Sequence, residues 1–174
     1  GYVERMDSIH AKRQLAALQF IIGQGYVPLS SQTSYGRLVR DLRDATGNRL
    51  FRTQAVVQGK DKTVFVEAVR DCPGATEELK KKLKRIRATL SSDLLNLTGF
   101  RNYELVIVAE SYQHMKHLME ELDRVLPADF RGRVVFTNDQ DTFFRTQRLH
   151  RLPERRSFTG TFPAKIAGLF GLQL

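Results

Sequence analysis

The sequence is short of cysteine, of acid and of long apolar runs, and each shortage closes off a class of protein. A single cysteine, Cys72, stands among 174 residues, so neither an internal disulfide nor a cysteine-based zinc site can form. No uninterrupted apolar stretch reaches the roughly 18–20 residues that span a bilayer. The opening GYVERMDSIHAKRQ lacks the apolar centre of a secretory signal. A cytoplasmic, reducing location without a membrane partner is expected. Gly1 at the start is what a trimmed chain would show, which leaves a further upstream domain open. No G-x-x-x-x-G-K-(S/T) loop occurs, which disfavours a nucleotide hydrolase, and the close histidine pair His114 and His117 has no H-E-x-x-H context. No resident cofactor or metal is therefore expected.

What is present is an ordinary globular composition, 41% apolar and 27% charged, with a strong basic excess of 28 Lys and Arg over 19 Asp and Glu. The excess is concentrated. Residues 76–101 carry seven cations against three anions, and residues 145–174 carry six against one. Clustered positive charge attracts polyanions by releasing their condensed counterions, so DNA is the expected partner.

Hydrophobic periodicity predicts the elements. A helix over 8–24 turns Ile9, Leu15, Ala16, Leu18, Ile21 and Ile22 inward, and Gly23 and Gly25 stop it. A second helix is expected over 34–45. Two runs rich in β-branched residues, 50–58 and 63–70, flank Gly59-Lys60-Asp61-Lys62 and read as an antiparallel hairpin. From Leu79 to Leu97 leucine or isoleucine recurs every three or four residues, which predicts a long helix. Residues 103–109 form a buried strand. Residues 112–126 form a helix with Met115, Leu118, Met119, Leu122 and Val125 inward, and residues 133–137 form a further strand. Strand, helix, strand implies a parallel pair. The fold class is α/β, a mixed sheet of four or more strands flanked by helices. An α/β domain over 1–142 is followed by a basic, aromatic C-terminal arm over 143–174.

Two stretches point to nucleic acid. Lys80, Lys81, Lys82, Lys84, Arg85 and Arg87 put six cations into eight residues of one expected helix, a stripe suited to a phosphate backbone. In the arm, Arg145, Arg148, Arg151, Arg155 and Arg156 are interleaved with Phe143, Phe144 and Phe158. That composition suits phosphates and bases together, and it equally suits docking on a protein partner. Among the acids, Glu67 stands inside the apolar run Val64-Phe65-Val66-Glu67-Ala68-Val69, where a carboxylate is costly unless paired. By alternation it shares a face with Phe65 and Val69.

A helix, a hairpin, a strand carrying Glu67, a basic helix and a central strand form an order that resembles the restriction-endonuclease-like fold. Residues 34–126 resemble, more narrowly, the carboxyl-terminal part of the replication-relaxation proteins of plasmids and mobile elements. The resemblance rests on Val64-Phe65-Val66-Glu67, on the helix over 79–89 and on the strand over 105–109. It implies a DNA-processing role, with an acid on one strand and an acid-x-Lys pair on the next. Here Thr53-Gln54 stands where Pro-Asp is expected, and Val69 stands where lysine is expected. The site is thus expected to be incomplete, with Arg70 or Lys80 available to return a cation. A DNA-binding accessory protein with a degenerate centre is the first expectation. An Mg²⁺-dependent nuclease using Glu67 with Asp61 or Asp71 is the second, and a protein-interaction module docking through the arm is the third.

Overall fold

The computed structural model describes residues 2–28, 53–59, 61–90, 102–144 and 148–153. Its centre is a mixed six-stranded sheet in sequential order. The strands are β1 (Val27–Pro28), β2 (Ala55–Gln58), β3 (Thr63–Val69), β4 (Tyr103–Ala109), β5 (Val134–Asn138) and β6 (His150–Arg151). The helices are α1 (Tyr2–Gln24), α2 (Ala75–Leu90), α3 (Tyr112–Val125), α4 (Ala128–Arg131) and α5 (Asp139–Phe143). No described helix is long and apolar enough to cross a membrane.

The expected hairpin is present: β2 and β3 pair antiparallel from Ala55↔Val66 to Gln58↔Thr63. Strands β3, β4 and β5 are mutually parallel. Helices α2 and α3 make the two crossovers, which places both on one face of the sheet. Every residue of β3, β4 and β5 is buried, as expected of parallel strands covered on both sides. On the crossover face, Phe65, Leu105, Ile107 and Phe136 meet Leu79, Leu83 and Ile86 of α2 and Met115, Leu118 and Leu122 of α3. Each such side chain contributes about 1.5–3 kcal/mol by leaving water.

Helix α1 covers the opposite face through Ala16, Ala17, Phe20 and Ile21, packed on Val57, Val64, Val66, Ala68, Val106, Val108 and Val135. This corrects half of the inward set read from periodicity: Ala16 and Ile21 are buried as expected, but Leu15, Leu18 and Ile22 are exposed. The helix is apolar on two sides, so pattern alone could not choose between them. The two alanines let the backbone approach the sheet closely. Val125, expected inward on α3, is also exposed. It ends the helix one residue before the Leu126 cap. Gly25, at φ 67°, closes α1 in the left-handed conformation that glycine favours.

The helix expected over 34–45 and the continuation of α2 past Leu90 lie outside the described residues. Part of the expected arm belongs to the sheet. His150 and Arg151 pair with Phe136 and Val135, and Leu152 is buried in the crossover-side core.

Candidate functional site

Strand β2 is shorter than its partner, and this creates the site. The backbone pairing stops at Ala55↔Val66, so the last three residues of β3 run past the end of β2. Gln54 takes over there, its Oε1 accepting the Ala68 N–H at 2.8 Å. A side-chain amide thus replaces the missing strand. Glu67 lies in this stretch and is only 5% exposed.

The pleat turns Glu67 toward α2, where Lys82 donates to its Oε2 at 2.6 Å. Lys82 sits beside Leu83 on α2, at the edge of the helix's buried face, so its ammonium reaches round to the sheet. Arg13 of α1 adds positive potential to the same carboxylate and pairs with Glu78 of α2 at 3.8 Å. Side chains from both layers therefore converge where β2 ends. Burial pushes the Glu67 carboxyl above its usual range, while the Lys82 charge and the hydrogen bonds from Lys82 and Gln54 oppose the rise.

The cation beside Glu67 is Lys82, not the Arg70 or Lys80 expected there. Arg70 and Lys80 are engaged elsewhere. Lys80 donates to Glu77 and to Glu121, each at 2.8 Å. Arg70 is buried at the carboxyl end of β3, where its guanidinium grips both Asp139 oxygens at the start of α5. Helical spacing was the available signal for Lys82, because it lies three residues after Leu79 on the flank of the buried stripe. Nothing in the sequence flagged Arg13 or Asp139.

The neighbouring carboxylates do not assemble a metal centre. At about 3.3 Å per strand residue, Asp61 lies roughly 20 Å and Asp71 roughly 13 Å along the chain from Glu67. The Asp61 carbonyl accepts from Asn102, and the Asp71 N–H donates to Glu110. Gln54 is an amide occupied with a backbone N–H, and Glu67 is occupied with Lys82. No group of three or more metal-type side chains gathers among the described residues. This donor set does not fit a divalent cation, which favours several charged oxygens.

A second polar cluster lies at the carboxyl ends of the parallel strands. His114, on the first turn of α3, is buried, and its Nδ1 accepts the Glu110 N–H at 3.4 Å. Burial pushes its imidazole below the usual histidine range, against the pull of Asp71 and Glu110. His117 is exposed on the same helix.

The basic stripe of α2 divides into three parts. Lys82 turns to Glu67, Lys80 and Arg87 turn toward the α3–α4 side, and Lys81, Lys84 and Arg85 are exposed. Arg87 pairs with Asp129 at 3.1 Å. The single continuous stripe expected from composition is therefore corrected: Lys80 pairs with Glu77 and Glu121, Lys82 with Glu67 and Arg87 with Asp129. Of the arm, Arg151 bonds Glu104 at 2.5 Å and the Gly132 carbonyl at 2.9 Å. Arg148 is exposed. Arg145, Arg155, Arg156 and Phe158 lie outside the described residues.

No family model, characterised protein or solved structure matches this chain. Its function rests on its own residues.

Proposed function

We propose that this protein binds DNA as a non-catalytic accessory factor, on a nuclease-like scaffold whose metal site has been replaced by a structural ion pair. The observation that carries the reading is the convergence of Gln54, Glu67 and Lys82 at the end of β2. Gln54, just before β2, and Glu67 on β3 stand where the resemblance implies acids, and the cation comes from the next helix instead of from position 69. The amide at 54 and the Lys82–Glu67 bond turn such a centre into a brace between sheet and helix. The outward face of the same helix then supplies the DNA contact, through Lys81, Lys84 and Arg85. Accessory work in plasmid or mobile-element processing is what the resemblance adds.

The test is salt-dependent binding of oligonucleotide by fluorescence anisotropy. Lys81→Gln, Lys84→Gln and Arg85→Gln together should weaken binding and lower the slope of log K against log salt by roughly two to three. Lys82→Gln should leave that slope unchanged. An unaltered slope in the triple variant would reject the role of this face. Mg²⁺-dependent cutting that Glu67→Ala abolishes would instead establish the nuclease reading.

A further inference from the structure

Between α2 and the α3–α4 corner runs a groove of about 530 Å³. Its α2 wall carries Lys80, Lys81, Lys84 and Arg87, and its floor and far wall are Leu83, Val125, Leu126, Pro127 and Phe130. The two sides differ in kind: α2 supplies the cations, and the far side is lined by apolar side chains over a buried floor of Leu83, Leu126 and Phe130. Glu121 and Asp129 reach across only to Lys80 and Arg87. Val125 is 53% exposed, an apolar side chain left in water at the lip.

We infer that this groove selects single-stranded over double-stranded DNA, seating bases on the apolar wall while the α2 cations hold the phosphates. The inference rests on the DNA-binding reading above and names its substrate class. A single strand has the same two-sidedness, with charged phosphates along one edge and apolar base faces along the other. A duplex keeps its base faces stacked inside and offers this wall only phosphates and polar base edges.

Spacing and charge agree. Lys80, Lys84 and Arg87 follow one another at four and three residues, about 6 and 4.5 Å of helix rise, so the cations track the groove lengthwise. Lys80 and Arg87 are held in place by Glu77, Glu121 and Asp129. Lys81 and Lys84 form no ion pair with a described residue and carry the groove's excess charge. A volume within the roughly 300–1,000 Å³ range of small-molecule pockets suits one or two bases.

The experiment titrates the full chain with a labelled twelve-nucleotide poly-dT strand, with a twelve-base-pair duplex and with an acidic amphipathic Glu/Leu peptide. Wild type should prefer the single strand. Val125→Asp, at an exposed position, should weaken single-strand binding about tenfold and duplex binding far less. Lys81→Gln with Lys84→Gln should weaken both. Methyl signals of Val125, Leu83 and Leu126 should move on addition of poly-dT. Equal affinity for strand and duplex, or equal losses on both in Val125→Asp, would overturn the groove's role while leaving DNA binding intact. Binding of the peptide with neither nucleic acid would overturn the DNA-binding reading as well.

Discussion

Lys82 of α2 lies 2.6 Å from the buried carboxylate of Glu67 on β3, and it is the charge that lets an acid sit inside a seven-residue buried strand. The Glu67 carboxyl is nevertheless raised above its usual range by burial. A raised acid binds protons more readily in the folded state than in the unfolded one. Its stabilising contribution is full at low pH and is lost as pH rises through the folded-state value. Lys82→Met removes the opposing charge and should raise the carboxyl further. We expect that variant to match wild type near pH 4 and to fall about 3 kcal/mol behind it at pH 8, the cost of a buried charge left without its partner. Urea denaturation at the two pH values measures this, and a pH-independent deficit would contradict it.

Gln54 stands in for the strand that β2 does not extend. Gln54→Ala should leave the Ala68 N–H without its acceptor and cost about 1–3 kcal/mol. Hydrogen exchange locates the effect: the Ala68 amide should lose protection by more than amides at the centre of β4.

Arg70 and Asp139 fasten the end of β3 to the start of α5. Arg70 has 5% of its side chain exposed, against 32% for Asp139, so the two truncations are unequal. Asp139→Asn strands a buried cation and should cost about 3 kcal/mol, lowering Tm by roughly 6–12 °C. Arg70→Met leaves a carboxylate that water can reach, and its loss should be smaller. A thermal melt of each variant decides the order.

His114 is held neutral by burial, so its lowered value runs in the opposite sense to that of Glu67. The unfolded chain takes up a proton near pH 6.5 while the folded chain resists it. Stability is therefore complete above that pH and declines as pH falls toward the folded-state value. Imidazole NMR should place the His114 midpoint below 6.5, and His114→Asn should lose less stability than wild type between pH 7 and pH 5.

Much of the fold was legible because its signals are local. The β-branched runs around Gly59 gave the hairpin. The apolar stretch over Tyr103–Ala109 gave a strand covered on both faces, and the strand–helix–strand sequence after it gave a parallel pair. Glu67 was legible as an anomaly, an acid inside an apolar run, but its burial was decided only by the packing of α2. The buried face of α1 was legible only in part, at Ala16 and Ile21, because Leu15, Leu18 and Ile22 match the helical period as well as Ala16, Phe20 and Ile21 do. Only packing on the sheet, where Ala16 and Ala17 lie buried beside Phe20 and Ile21, separates the sets.

Charge shows the same division. Composition determined that the chain is basic, that α2 carries six cations and that an acid, Glu67, falls within an apolar strand run, since these follow from residue identity and periods of 2 and 3.6. Tertiary structure decided which cations meet acids, because Glu67, Glu121 and Asp129 are distant in sequence and reach α2 only through packing. Coulomb attraction depends on separation in space, so a run of lysines became a brace at Lys82, a pinned groove wall at Lys80 and Arg87, and an outward face at Lys81 and Lys84.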